Sequence, residues 1–331
     1  MIWFLLRRLG FALFTLLVVV LLTYWIFFAL SPDPAAQICG QNCTPDRIAQ
    51  IRTTLELDRP FFPRFFEFAG GIFAGRTIGS GPTAVYCSAP CLGYSFQSGQ
   101  NVTDMIVSRL PVTLSLAIGS LVLWVIAGTI GGVISAVFRG SWWDKAAMTA
   151  ALAGIALPNY FVALLLQYVI VVKLQWLPFP LNDPSISDPQ SWFFSYLLPW
   201  IVLALMYSAT FARLTRANMV DTLGENYIRT ARAKGLPERL VIGKHALRPA
   251  LTPLVTIVGL DFAMLLGGAL ITESVFGLQG VGKLARDAIG TNDQPVIMGV
   301  TLLAATAVVL MNIVVDLLYA VLDPRVRVAA R

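Results

Sequence analysis

Histidine is almost absent: His245 is the only one in 331 residues. That scarcity argues against imidazole-based metal centres and acid–base machinery. HExxH, GxSxG and paired acids at helical spacing are likewise missing from the apolar stretches. An intramembrane hydrolase is therefore excluded, and no catalytic, cofactor-binding or metal-ligating residue is assigned. Charge is scarce too. Asp, Glu, Lys and Arg make up 13% of the chain, where soluble domains carry roughly 25%. Such a chain cannot clothe a soluble globule. Cysteine is limited to four residues, all within one segment.

What fills the chain instead is apolar sequence, 57% of the whole. Charge-free runs occupy Leu9–Pro32, Leu110–Phe138, Ala146–Val172, Pro189–Ala212 and Gln294–Val315, and a sixth, Pro249–Thr272, is broken only by Asp261. Each exceeds the ~20 residues that a helix needs to cross a bilayer core. The expectation is an all-α, six-span membrane protein with both termini on one side. The first run is too long for a secretory h-region, so it reads as a retained helix.

Lys and Arg set the orientation. Arg7, Arg8, Arg139, Lys145, eight basic residues from Arg213 to Arg248, and Arg325, Arg327 and Arg331 fall on the side of the termini. That side reads as cytoplasmic, in a cell membrane. The net charge of +6 follows topology and implies no nucleic acid. The expected organisation is residues 1–32 as the inner end and first span, 33–109 as an external segment, 110–322 as the core, and 323–331 as an inner tail.

In the external segment, Thr44 is placed to cap a helix that begins at Pro45. Cys39, Cys43, Cys87 and Cys91 also lie there, spaced alike as CGQNC and CSAPC. On the oxidising side of a membrane disulfides are the default, with three pairings open. A four-thiolate metal site is the rarer alternative. NCT at Asn42 and NVT at Asn101 match glycosylation sequons, which matter only in a eukaryotic secretory pathway. GLQGVGKL, from Gly277 to Leu284, has the glycine spacing of a phosphate loop. It lacks the Ser or Thr that holds magnesium, and no buried strand precedes it. It is rejected as a nucleotide site.

Asp261 is the deepest ionisable residue. An acid at that depth faces the bundle interior or water, which makes it the candidate for the translocation pathway. An interhelical hydrogen bond competes equally. Asp316, near the inner end of the last span, reads as a structural ion pair.

Residues 227–250, YIRTARAKGLPERLVIGKHALRPA, stand out between two spans. Gly235 and then Pro237 stop a first helix, and a second can run from Glu238 to Leu247. Ala231, Ala233 and Gly235 offer little side chain, so another backbone can come close. A small-residue crest with a cationic rim reads as a docking knob. A lipid-bound basic helix is the blander reading.

This loop resembles the EAA loop of importer-type ABC permeases. Arg229, Thr230, Ala231 and Gly235 hold the positions of its Glu-Ala-Ala-x-x-x-Gly element, and Leu247 and Pro249 lie near its second element. RTARAKGL with HALRPAL, LLRR, RLPVTLSLA, LLGGALITESVFGLQGVGKL and VDLLYAVLDPRVR resemble the dipeptide/oligopeptide and nickel branch. The paired-cysteine insert departs from that pattern, as does the charge at Asp261. The resemblance implies a type I importer permease with a coupling helix between its fourth and fifth spans. It also implies a second permease as partner, two ATPase subunits that bind ATP and magnesium, and an external solute-binding protein. Peptides are the expected cargo, with nickel or haem-like solutes as alternatives. An ion-coupled carrier using Asp261 is the rival of another class. It requires inverted repeats, and none is visible in the sequence.

Overall fold

A computed structural model of the chain describes residues 2–30, 34–39, 43–54, 59–79, 84–181 and 187–322. The basic residues of the tail and Asn42 of the first sequon lie outside the described residues. Among the described residues, four helices are long and apolar enough to cross a membrane: α1 (Ile2–Phe28), α5 (Val102–Val137), α8 (Pro189–Leu223) and α15 (Gln294–Leu322). Two bent pairs raise the number to six if each pair is one span. In the first, α6 (Trp142–Ala156) meets α7 (Asn159–Leu166), which runs on through a π-helical stretch to Lys173, at 103°.

The second pair joins Glu238–Leu251 to α12 (Leu254–Leu266) at 57°. The sequence leads one to expect an unbroken helix across Ala146–Val172, and a loop helix Glu238–Leu247 followed by a span that begins at Pro249. Proline explains both breaks: Leu157 before Pro158 is extended, as pre-proline residues prefer, and Pro253 follows Thr252 at the second bend.

Shorter elements complete the chain. They are α2 (Pro34–Cys39), α3 (Pro45–Thr54), α4 (Phe61–Ala74), α9 (Asn226–Ala233), α10 (Glu238–Leu240), α11 (Leu247–Leu251), α13 (Leu270–Phe276) and α14 (Val281–Thr291). Two antiparallel ribbons pair β1 (Arg76–Ile78) with β2 (Val85–Cys87) and β3 (Tyr94–Ser95) with β4 (Gln100–Asn101). Helix α5 starts eight residues before the boundary expected from charge, because the polar turn Val102–Arg109 is helical as well.

Two compact units divide the chain. One comprises Met1–Thr113, Met264–Leu270 and Gln279–Leu310. Its core joins Val102 and Ile106 of α5 to Val281 and Leu284 of α14 and to Val296 and Val300 of α15. A second cluster sets Tyr24 of α1 against Phe65 and Phe68 of α4 and Met298 and Leu302 of α15. Ser95 Oγ donates to Asp293 Oδ2 at 2.5 Å, fixing a ribbon to the turn before α15. The cysteines pair locally, Cys39 with Cys43 and Cys87 with Cys91.

The other unit comprises Leu114–Ala263, Ile271–Leu278 and Met311–Arg331. Here α5 and α8 pack through small residues. A Cβ added at Gly119 would fall 2.1 Å from the Trp200 ring, and one at Gly132 would fall 2.5 Å from Thr215. Such close approach is how membrane helices gain packing where lipid supplies no hydrophobic drive. The Trp200 indole N–H donates to the Ser115 carbonyl at 2.9 Å, so the buried ring keeps its polar atom satisfied.

Candidate functional site

The basic loop folds as a short helix, a tight glycine turn and a second helix. In α9, Ile228 and Ala231 are three apart and face inward. They meet Met219 of α8, Ala136 of α5, and Val241, Ala246 and Ala250 further on. Full burial of Ile228 contributes about 1.5–3 kcal/mol. The turn is closed from Leu236 N to Ala231 O at 3.3 Å and from Gly235 N to Arg232 O at 2.9 Å, the two bonds of a Schellman C-cap. Gly235 sits at φ 77° with no atom within 4 Å of where a Cβ would stand. Glycine is needed there for its backbone, since the space is open.

Of the sequence-named residues, Arg229, Thr230, Ala233, Gly235 and Pro249 are exposed and Leu247 is half-buried. Ala231 is not on the crest. It is buried at 8%, because the amphipathic spacing that buries Ile228 carries Ala231 with it. The second helix also differs from expectation. It runs as α10, a π-helical turn over Val241–Ala246, and α11, passing through Pro249 to Leu251. The π turn lets Pro249, which lacks an N–H, enter a helix.

Asp261 lies half-buried in α12, within electrostatic reach of Tyr207 on α8. Its carboxylate has no hydrogen bond or ion pair among the described residues. Gly267 and Gly268 do not extend its helix, which ends at Leu266. They serve packing. A Cβ on Gly268, at φ 111°, would stand 2.4 Å from Gly282, and one on Gly267 would stand 2.8 Å from Ala304. Gly282 of GLQGVGKL is thus spent on helix contact. Val281 N donates to Thr113 Oγ1 at 2.8 Å, and Leu278, Val281 and Leu284 are buried.

Comparison with known proteins places this arrangement. Residues 128–328 match the family described as binding-protein-dependent transport system inner membrane component, and residues 1–117 match its N-terminal domain. The chain belongs to this family. It is a membrane permease subunit of ABC importers, a transport subunit and not an enzyme. A relative in Brucella abortus (strain 2308), named as a peptide transport system permease protein, is 36% identical over 322 residues, covering 97% of this chain and 98% of its own. The glutathione transport system permease protein GsiC of Escherichia coli (strain K12) is 39% identical over 313 residues, 95% of each chain. Among solved structures, the inward-facing MetNI methionine ABC transporter matches with a TM-score of 0.53 at 17% identity, over 67% of this chain and 97% of that one. The fold is that of type I importer permeases.

Three features of the permease escaped sequence reading. Asp144, 5% exposed, accepts from Arg216 Nε at 2.7 Å and Nη2 at 2.8 Å, from Gly140 N at 2.8 Å, and from Ser135 Oγ. One carboxylate thereby ties the C-terminal end of α5, the first turn of α6 and α8. The second is a fork from Arg232 to Glu238, at 2.6 and 3.2 Å, that bridges α9 and α10 across the Gly235 turn. Both partners are about half exposed, so the fork contributes no more than ~1 kcal/mol. Glu273, fully buried in α13, was also passed over. The signal was an acid inside the run LITESVF.

Proposed function

We propose that this permease forms half of the translocation path of a peptide importer. A second, similar permease completes the path, two ATPase subunits dock on the cationic face, and an external solute-binding protein delivers peptide. ATP and magnesium belong to the ATPase subunits, and this chain holds no cofactor of its own. Both termini face the cytoplasm. The Lys and Arg asymmetry supports that orientation, since cytoplasmic loops carry the positive excess. Exposed Trp142 and Trp143 beside Arg139, and Trp176 beyond α7, are placed as interfacial aromatic belts are.

The observation that carries the reading is the loop at Gly235, an exposed small-residue turn on a rigid base of α5 and α8. Closure of the ATPase dimer would pull on that turn, and the base would transmit the pull to the spans. Peptide cargo is supported by the names of the relatives in B. abortus and E. coli. Asp261 is the side chain proposed to meet the path.

Proteoliposomes holding both permeases and both ATPases, with the binding protein on the opposite side, provide the test. ATP-dependent accumulation of labelled di- or tripeptides is expected. Accumulation of nickel or a haem-like solute in place of peptide would sink the cargo assignment and leave ATP coupling standing. Uptake driven by an ion gradient without ATP would sink both.

A further inference from the structure

The helix α4 lies inside the segment that sequence reading placed outside the membrane, yet it packs along a membrane span. An apolar cleft of about 380 Å³ separates α4 from α1 and α15, all within one compact unit. Leu17 and Thr306 line it, and they are the central residues of the apolar stretches Leu6–Phe28 and Gln294–Leu318. Val20 of α1 and Leu302 of α15 line it nearer the side of the 33–109 segment. At 1.5 Å per residue, and with Leu13 lining it four residues beyond Leu17, the cleft therefore reaches just past the middle of a ~30 Å hydrocarbon core. Water is excluded at that depth, and so is an aqueous partner protein.

The open rim of α4 is phenylalanine. Phe62, Phe66 and Phe73 are 65%, 68% and 80% exposed and share one side at helical spacing. Arg64 and Glu67 lie on the other. The chain then returns through the β1–β2 ribbon, paired from Arg76↔Cys87 to Ile78↔Val85. The lining separates two possible occupants. Membrane helices meet through small residues, and the permease has such a surface elsewhere, lined by Ala127, Gly131, Ala150, Gly154 and Ala209. The α4 cleft is instead walled by Leu13, Leu16, Val19, Phe65 and Ile72, a trough of long side chains suited to a flexible methylene chain.

We infer that α4 is immersed in the leaflet adjoining the external segment and that its cleft with α1 and α15 holds a phospholipid acyl chain. The site belongs to this chain alone and does not depend on the cargo.

The test places the photocrosslinker p-benzoylphenylalanine at Phe66, Phe73 or Glu67 in the assembled transporter in native membranes. Irradiation and mass analysis then identify the adducts. Phospholipid adducts at Phe66 and Phe73 should exceed those at Glu67 roughly tenfold, the ratio that about 1.4 kcal/mol of preference gives. Crosslinks to the second permease or the binding protein at Phe66 and Phe73 would overturn the inference. So would adduct yields equal at all three positions. Ala69→Trp, which fills the cleft, should lower the phospholipid retained in native mass spectra of the detergent-purified complex, whereas Phe62→Trp on the rim should not. Equal retention in the two variants would overturn the cleft as the binding place.

Discussion

Replacing Gly235 tests the coupling loop, and the structure separates the two ways in which a substitution there can do harm. The first is backbone strain. At φ 77° any L-residue is in the left-handed region, which costs about 1–2 kcal/mol. Alanine, glutamine and glutamate all incur this cost. The second is obstruction. No atom lies within 4 Å of a Cβ at this position, so within the permease itself a side chain leaves the backbone into open space. Any added harm from length therefore comes from a partner. Gly235→Ala should leave folding intact and weaken transport by no more than roughly thirtyfold, the factor that about 2 kcal/mol represents. Gly235→Glu should abolish uptake, with the ATPases lost on purification or hydrolysing ATP without import. Gly235→Gln distinguishes bulk from charge. Uptake in whole cells, measured beside co-purification of the ATPase subunits, provides the readout. If alanine and glutamate were equally defective, strain would explain both and docking neither. If glutamate imported normally with ATPases bound, the turn would not be a coupling element, and the lipid-bound reading of the loop would return.

Three further outcomes are expected. Asp144→Asn leaves Arg216 without its carboxylate and should destabilise the permease by about 3–5 kcal/mol, read as a lower thermal unfolding midpoint in detergent; an unchanged midpoint would show that the cluster does not bear on stability. Non-reducing mass mapping should find Cys39 joined to Cys43 and Cys87 to Cys91, and four readily alkylated thiols in freshly isolated membranes would refute this. Asp261→Asn should lower transport with assembly intact if the carboxylate meets the path, and full transport would assign it a structural part instead.

Local signals were legible and distant ones were not. Thr44 and Pro45 announced α3, and its Ile48 N–H bonds to Thr44 O at 3.1 Å. Gly235 and Pro237 announced the end of α9. Both are read within a few residues, because caps and turns are local chemistry. The face of α9 was harder to read, since Ala231 is as small as a docking residue should be. Only Met219 and Ala136, brought in from other helices, show that it faces inward. Asp144 and Arg216 are 72 residues apart, so nothing near either one names the other. Helix α4 was missed because its 14 residues carry Arg64 and Glu67, too few and too polar for a span. Hydropathy can find a helix that crosses a bilayer, and it overlooks one that only enters it.

The Gly235 loop and the Asp144 cluster share their footing, and that decides which parts of this unit move together. Ala136, which receives α9, follows Ser135, which donates to Asp144. On α8, Arg216 holds the same carboxylate, and Met219, three residues on, packs under Ile228. Adjacent positions on two helices thus serve the loop and the clamp at once. A displacement applied at Gly235 reaches α5 and α8 through packed side chains, which are stiff, and it reaches the start of α6 through three charge-assisted hydrogen bonds. The C-terminal ends of α5 and α8 and the start of α6 behave as one body. Compliance has to lie elsewhere, and the proline breaks at Leu157–Pro158 and Thr252–Pro253 are where helical hydrogen bonding is already interrupted. Sequence patterning hid these breaks inside the apolar runs Ala146–Val172 and Pro249–Thr272. If the loop is pulled, those two bends are where the spans can change angle without breaking a helix.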